Sequence, residues 1–254
     1  MSKVLGVIPA RLGSERLSRK PLQLLGGRPL IEVVWQRVAA FKVVDALVVA
    51  TDSDEIAAVC RAAGAQYEMT SSAHRSGTER VAEVAERRAE FDVIVNIQGD
   101  EPFVAADHVR SSVQLVLDGW DIGTPAAPIE TLDAWRDPAV VKIARADDGR
   151  ALYFSRSPIP HKRDGVPAAD ELNGSLYLRH IGVYAYSRAA LLKYVRLEET
   201  ALERSEKLEQ LRALAAGMRI GVALTAESAA GIDTPEDLAR AQQHFAAAKV
   251  QFKI

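Results

Sequence analysis

Three cationic side chains lie close together near the start of the chain, directly after an apolar run. Arg11, Arg16 and Lys20 follow residues 4–8 and are separated by small residues such as Ser14. This combination suits a polyphosphate, because small residues let backbone N–H groups approach the ligand and the cations balance its charge. A solvated basic loop is the other interpretation of the same stretch, and its composition leaves both open.

An aspartate follows the apolar segment 93–97, which predicts a buried strand. The chain there continues through Gln98 and Gly99 to Asp100. Ligands of open α/β sheets bind beyond the carboxyl ends of the strands, so this position favours a functional aspartate. Gly99 and Pro102 also fit a turn in which the aspartate has only a structural role.

A second aspartate lies just before the last predicted helix. Thr234 suits the N-cap of that helix, Pro235 its first position and Asp237 its third,. Asp233 is therefore not needed to start the helix. We interpret it as a functional carboxylate.

The basic stretch matches neither the G-x-x-x-x-G-K-[ST] loop nor the G-x-G-x-x-G dinucleotide fingerprint. From Pro9 to Leu22 it resembles P-A-R-x-x-S-x-R-L-x-x-K-P-L, the N-terminal signature of the cytidylyltransferases that activate 2-keto sugar acids. The chain departs from this family at Ser18-Arg19, where the family usually carries Pro-Gly. The departure makes the stretch more basic and less rigid.

Further segments resemble the same family, in order, up to about residue 240. They are HRSGTER at 74–80, QGDEP at 98–102, YFSRSPIP at 153–160, RHIGVYAY at 179–186, LEQLR at 208–212 and GIDTPEDL at 231–238. The resemblance implies a site for CTP formed by Pro9, Ala10, Arg11, Ser14, Arg16, Lys20, Ser76, Gly77 and Arg80. It implies a site for the sugar acid formed by Gln98, Arg156, His180, Tyr184, Glu209 and Gln210.

The resemblance also implies that Asp100 and Asp233 bind Mg²⁺ and act in catalysis with Arg11, Arg16 and Lys20. Mg²⁺ completes its oxygen ligands with substrate phosphates, so two carboxylates are sufficient.

At several of these positions, the residue type alone does not distinguish a binding role from a structural one. Ser76 is a common type of helix cap, a lone strand histidine such as His180 is more often structural, and Glu209 with Gln210 would ordinarily be a solvated pair,. Arg156 is better suited, because its planar guanidinium can bind a carboxylate through two hydrogen bonds.

Composition narrows the class of ligand and the compartment. The chain has 254 residues and a formal net charge of −2, which argues against a general nucleic-acid binder and favours a small anion,. Cys60 is the only cysteine, so no intrachain disulfide is possible and a cytoplasmic location is expected,. No segment suits a signal peptide or reaches the ~20 apolar residues of a membrane span, so no membrane insertion is expected.

Strand and helix patterns alternate through the first half of the chain, which predicts an α/β fold with a mixed, mostly parallel sheet and helices on both faces. The predicted strands are 4–8, 46–50, 66–69, 92–97, 122–126, 140–143, 152–155, 177–186 and 219–224. The predicted helices are 29–41, 54–63, 78–88, 107–118, 189–195, 201–216 and 235–248. Pro29 suits the first position of the first helix, Ser53 the N-cap of the second, and Thr200 with Glu203 a capping box at the start of helix 201–216,. The polar segment 158–175 is expected to be a loop that could cover a site.

We expect one domain over residues 1–254, in which 122–186 forms a smaller lobe for sugar binding and dimerisation. The family resemblance implies a nucleotide-diphospho-sugar transferase-like fold and a homodimer. It implies that the substrates are CTP and 3-deoxy-D-manno-octulosonate (Kdo), with CMP-Kdo for lipopolysaccharide and pyrophosphate as products. The alternatives are a related 2-keto acid, such as 8-amino-Kdo or a sialic acid, and a non-catalytic nucleotide or sugar sensor.

Overall fold

The computed structural model describes residues 2–13, 17–226 and 231–248. They form two compact units. The first, here called the N-terminal unit, contains residues 3–90 and 96–106 with the chain from residue 231 onward. The second, here called the central unit, contains residues 91–95 and 107–226. The predicted lobe 122–186 lies inside the central unit, and its part in sugar binding and dimerisation stays a prediction.

The strands are β1 Val4–Ala10, β2 Leu24–Leu25, β3 Arg28–Pro29, β4 Ala46–Thr51, β5 Tyr67–Met69, β6 Val93–Asn96, β7 Ile122–Pro128, β8 Lys142–Arg145, β9 Ala151–Ser155, β10 Leu178–His180, β11 Tyr184–Ser187 and β12 Ile220–Leu224. The helices are α1 Leu30–Phe41, α2 Asp54–Ala62, α3 Gly77–Arg87, α4 Ala106–Leu117, α5 Leu132–Arg136, α6 Ala169–Leu172, α7 Arg188–Tyr194, α8 Ala201–Glu206, α9 Gln210–Ala215 and α10 Pro235–Ala248. A 3-10 helix covers Lys20–Leu22. The predicted α/β class with a mixed sheet is confirmed.

Strands β5, β4 and β1 are neighbours in the N-terminal unit and run parallel. Their register places Val7 opposite Val48, and both side chains are fully buried. Parallel strands buried on both faces have continuous apolar sequences, which is why β1 and β4 were predictable,. Ser53 caps α2 as expected, by accepting a hydrogen bond from the backbone N–H of Ile56. Pro29 was expected at the first position of α1 but is its N-cap.

The central unit is built around β7. This strand pairs antiparallel with β10 and β11 and parallel with β12, and β8 pairs antiparallel with β9 and β10. A side chain at Gly123 of β7 would lie 2.3 Å from the carbonyl oxygen of Ser112 in α4. Glycine at this position therefore lets the helix pack directly on the strand.

The single strand predicted over 177–186 is wrong, because β10 ends at His180 and β11 begins at Tyr184. Leu178 lies opposite Pro128 and Ala185 opposite Gly123, so seven steps along this segment match five along β7. Two extra residues are therefore inserted, and the backbone N–H of Val183 bonds to the carbonyl of Ile181 at 2.8 Å. An even insertion keeps the alternation of faces that a single-residue insertion would reverse.

The single helix predicted over 201–216 is also wrong. Lys207 has φ 53° and ends α8, and α9 begins at Gln210. The left-handed conformation of Lys207 cannot continue a right-handed helix, and no glycine marks the position in the sequence. The predicted capping box at the start of α8 is confirmed, since Thr200 accepts from the backbone N–H of Glu203 and Glu203 accepts from that of Thr200.

The predicted loop 158–175 contains one short helix, α6. Its Leu172 is buried together with Ile129, Trp135 and Tyr177, so the end of the segment is anchored to the core of the central unit. Within the described ranges, every helix is too short or too polar to cross a lipid bilayer.

Candidate active site

A cavity of about 470 Å³ opens in the N-terminal unit. Its lining brings together residues from the two ends of the chain, from the start of α3 and from the segment after β6. They are Pro9, Ala10, Arg11, Gly13, Lys20, Pro21, Ser76, Gly77, Arg80, Gln98, Gly99, Asp100 and Asp233. Most of the residues expected to bind CTP, both predicted metal ligands and Gln98 are thus neighbours, whereas Ser14 and Arg16 lie outside the described residues.

Two glycines make this convergence possible around Pro9. A side chain at Gly99 would lie 3.0 Å from the carbonyl oxygen of Pro9, and one at Gly77 would lie 3.2 Å from the Pro9 ring. The backbone N–H of Ile97 bonds to the carbonyl of Val7 at 3.0 Å, which fixes the segment that leads to Asp100 against β1. Close backbone packing therefore positions the cavity wall.

Lys20 joins the two predicted metal ligands. Its Nζ donates to Asp100 Oδ2 at 2.6 Å and to Asp233 Oδ1 at 2.7 Å. The Lys20 side chain is 15% exposed, and those of Asp100 and Asp233 are 29% and 45% exposed. Burial by itself lowers the pKa of Lys20, but the two carboxylates outweigh it and the pKa lies above its ordinary value. The lysine is therefore a cation in this cluster.

Backbone contacts hold Asp233 beside Asp100. The N–H of Ile232 bonds to the carbonyl of Asp100 at 2.9 Å, and Asp237 Oδ2 accepts from the N–H groups of Asp233 and Thr234. Thr234 Oγ1 in turn accepts from the N–H of Asp237 at 3.1 Å. The predicted helix-start role of Thr234 and Asp237 is confirmed. Asp233 lines the cavity.

The start of α3 forms another wall of the cavity. Ser76 caps this helix by accepting from the N–H of Glu79 at 3.2 Å, and Gly77 is the first helical residue. Helix N-termini favour anions, because the first N–H groups have no partner within the helix. Ser76 thus has a structural role here and still lies on the cavity.

Arg80, like Lys20, is a cation of the cavity that is already paired within the protein. Its side chain is 2% exposed, donates to Asp52 Oδ2 at 2.8 Å and also donates to Thr70 Oγ1. Arg11, by contrast, is exposed. Sequence reasoning missed Asp52 and Thr70, although each directly follows the last residue of a parallel strand, the same signal that identified Asp100,.

The remaining residues expected to bind the sugar acid lie in the central unit. His180 and Tyr184 come from different strands, yet their ring centroids are 5.1 Å apart. His180 also lies 3.0 Å from Thr124 Oγ1 and packs edge-on against Phe154. Burial of the imidazole among these groups lowers the pKa of His180 to about 3, so the ring is neutral near pH 7,.

Arg156 is held through both its backbone and its side chain. Its N–H donates to the Glu206 carboxylate at 2.9 Å, Nε donates to the Glu206 carbonyl at 2.8 Å and Nη1 to the Pro138 carbonyl at 2.9 Å. Lys142 Nζ donates to the carbonyl of Arg156 at 2.5 Å. Because a guanidinium has five N–H donors, further hydrogen bonds to a ligand remain available.

Glu209 and Gln210 lie at the junction between α8 and α9 and are half-buried. Glu209 is the N-cap residue of α9 and Gln210 its first residue. The Tyr194 hydroxyl donates to the carbonyl of Glu209 at 2.8 Å, which fixes the backbone of this junction. The turn at Lys207 decides the direction in which α9 begins.

Comparison with known proteins places the chain in a family. Residues 5–220 match the family model described as cytidylyltransferase. A protein of Gemmatimonas aurantiaca named 3-deoxy-manno-octulosonate cytidylyltransferase is 49% identical over 245 residues, which cover 95% of this chain and 94% of the relative. The chain belongs to the 3-deoxy-manno-octulosonate cytidylyltransferase family. It is therefore an enzyme of the nucleotidyltransferase class.

Other members and solved structures agree with this family. A Xanthomonas campestris 3-deoxy-manno-octulosonate cytidylyltransferase is 46% identical over 248 residues, which cover 95% of this chain and 99% of the relative. The solved structure of CMP:2-keto-3-deoxy-manno-octonic acid synthetase complexed with CTP is 37% identical, with a TM-score of 0.88 over 97% of this chain and 99% of the other. The Anaerococcus prevotii 4-diphosphocytidyl-2C-methyl-D-erythritol synthase is 17% identical, with a TM-score of 0.62 over 96% of this chain and 99% of the other, and shares the fold.

Proposed function

We propose that this protein transfers the cytidylyl group of CTP to Kdo, giving CMP-Kdo for lipopolysaccharide synthesis and pyrophosphate. Relatives named for this reaction match nearly the whole chain, and the similar solved structure is a complex with CTP. The observation that carries the proposal in this chain is the contact of Lys20 with both Asp100 and Asp233 inside one cavity. Such a cavity offers both a cation for phosphate oxygens and carboxylates for a metal.

In the proposed reaction, the anomeric hydroxyl oxygen of the sugar forms a bond to the α-phosphorus of CTP. The bond from that phosphorus to the bridging oxygen of the β-phosphate breaks, pyrophosphate leaves, and the hydroxyl proton is released. Arg11, Arg16 and Lys20 would neutralise charge that grows on the leaving pyrophosphate. Positioning and electrostatics supply the rate, and no covalent intermediate on the enzyme is needed.

We propose Mg²⁺ as the cofactor, held by Asp100 and Asp233. The fit is supported by Lys20, because two carboxylate oxygens that contact a single ammonium can also contact a single metal ion. Their oxygen chemistry matches the preference of Mg²⁺ for one or two carboxylates plus substrate phosphates. Bound Mg²⁺ would neutralise phosphate charge and orient the triphosphate. Ser76 and Gly77 would contact the nucleotide from the start of α3.

We propose that the sugar acid is bound in the central unit by Arg156, His180, Tyr184, Glu209 and Gln210. Arg156 provides the positive charge for the carboxylate, since the neutral His180 can only exchange hydrogen bonds,. The hydrogen bonds from the guanidinium to the carbonyls of Glu206 and Pro138 support this role, because a fixed guanidinium discriminates better than a mobile one,. The cytoplasmic location and the homodimer belong to the same proposal and rest on the sequence.

The test is pyrophosphate release from CTP by the full chain, measured with Kdo, 8-amino-Kdo and a sialic acid, with and without Mg²⁺. Turnover that is fastest with Kdo and requires the metal is the expected result. Turnover with another acid but not with Kdo would overturn the substrate. Binding of CTP without turnover of any acid would favour a nucleotide sensor.

A further inference from the structure

The ammonium of Lys20 lies where a metal shared by Asp100 and Asp233 would bind. Its Nζ is 2.6 Å and 2.7 Å from one oxygen of each carboxylate. Mg²⁺ bonds to oxygen at about 2.0–2.1 Å, so an ion that bound the same two oxygens from the side of the lysine would overlap Nζ. The two cations cannot occupy this side of the oxygen pair together.

Electrostatics makes the exclusion stronger. Lys20 is mostly shielded from water, and its ammonium contacts both carboxylates. A divalent ion beside this ammonium would meet a positive charge at short range. In its absence the same ammonium offsets the repulsion between the two carboxylates, which would otherwise oppose their approach.

We propose that Lys20 acts as an internal cation that holds Asp100 and Asp233 together in the nucleotide-free protein, and that the triphosphate draws it away so that metal and nucleotide bind as a coupled pair. This inference rests on the proposed function. Lys20 then exchanges two carboxylate contacts for phosphate contacts, and the carboxylates become available to the metal. Because such coupling is reciprocal, bound metal also strengthens nucleotide binding.

The decisive experiment measures the affinity of Mn²⁺, as a probe for Mg²⁺, for the full chain without any nucleotide. Free Mn²⁺ is followed by electron paramagnetic resonance for the wild type, Lys20→Met and Arg11→Met. Methionine is unbranched, as lysine is, but carries no charge. Arg11→Met removes one positive charge from the same cavity, but in the wild type it is Lys20 that contacts the aspartates.

We expect Lys20→Met to bind Mn²⁺ at least about tenfold more tightly than the wild type, because a neighbouring unit charge is worth more than this factor in a partly buried site. Arg11→Met should change the affinity by less than about threefold, since an exposed charge is screened. Adding Asp100→Asn to Lys20→Met should abolish the gain. Lys20→Gln provides a second neutral variant if Lys20→Met does not fold.

Equal affinities of the wild type and both neutral lysine variants would overturn the inference, as would the same gain in Arg11→Met. The result is separable from the proposed function, because no substrate is present. Turnover of Kdo by the wild type together with no gain in the lysine variants would keep the function and reject the coupling. Tighter Mn²⁺ binding by the lysine variants, without turnover of any sugar acid by the wild type, would keep the coupling and reject the function.

Discussion

The cavity of the N-terminal unit and the surroundings of Arg156 and His180 in the central unit use polar residues in opposite ways. In the cavity, Lys20, Asp100 and Asp233 contact one another but remain partly exposed. In the central unit, Arg156 is held by backbone carbonyls and by Glu206, and His180 is neutral. The first arrangement suits a ligand that brings several charges and a metal. The second suits a ligand that must meet groups already fixed in position.

The largest effect should come from the cavity. Asp100→Asn removes one of two carboxylate charges, and we expect kcat to fall about 10²- to 10³-fold, the usual loss when a transition-state charge contact is removed. Pyrophosphate release at saturating substrates and several Mg²⁺ concentrations measures the loss. Asp54→Asn, the same change at an exposed position of α2, is the matched control. If Asp100→Asn kept near-wild-type rates at limiting Mg²⁺, Asp100 would not be a metal ligand.

A smaller and more selective effect is expected in the central unit. The Glu206 carboxylate accepts from the Ser155 hydroxyl at 2.6 Å and from the N–H of Arg156 at 2.9 Å. Glu206→Gln replaces one acceptor by a donor, so we expect KM for the sugar acid to rise about tenfold, roughly the effect of one lost charged hydrogen bond. KM for CTP should stay within about twofold.

Glu198→Gln is the matched control for this change, because Glu198 is exposed in the same unit. Steady-state kinetics with each substrate varied in turn separates the two constants. A lower melting temperature without a change in KM for the sugar acid would show that Glu206 only stabilises the fold, and the comparison between the two regions would then lose its functional meaning.

The smallest effect concerns the pH dependence of stability. The pKa of His180 is lowered by burial to about 3, so between pH 6.5 and 3 the unfolded chain binds a proton that the folded protein does not. The contribution of His180 to the free energy of unfolding is therefore complete above pH 6.5. It falls by about 1 kcal/mol for each pH unit below that value. Urea unfolding of wild type and His180→Gln at pH 7, 6 and 5 should show a shallower decline in the variant. His161→Gln, at an exposed histidine, should follow the wild type.

The sequence predicted the elements whose signals are local. The apolar runs of β1 and β4, the Ser53 cap and the Thr200 capping box all depend on residues near one another in the chain. The break at Lys207 and the two extra residues before Tyr184 have no such signal. Both depend on contacts made after folding, such as that of Arg156 with the Glu206 carbonyl and that of Ile181 with Pro125.

The candidate site shows the same division. Asp100 and Asp233 could be singled out because each follows an apolar segment or precedes a helix that is already capped. Their sharing of Lys20, which is 80 and 213 residues distant, follows only from the topology. Asp52 was missed because its partner Arg80 is distant in the sequence, although the position of Asp52 after β4 was visible.

Arg19, the residue before Lys20, offers a route to a more heat-resistant enzyme. Its φ of 54° and ψ of 35° are left-handed, a conformation that costs a residue with a side chain about 1–2 kcal/mol and a glycine almost nothing,. The Arg19 side chain contributes little in return, since its ion pair with Glu55 is more than half exposed,. Arg19→Gly should therefore raise the melting temperature or leave it unchanged, whereas Arg19→Val should lower it. Engineering for thermal stability can begin at this position without altering a side chain of the cavity.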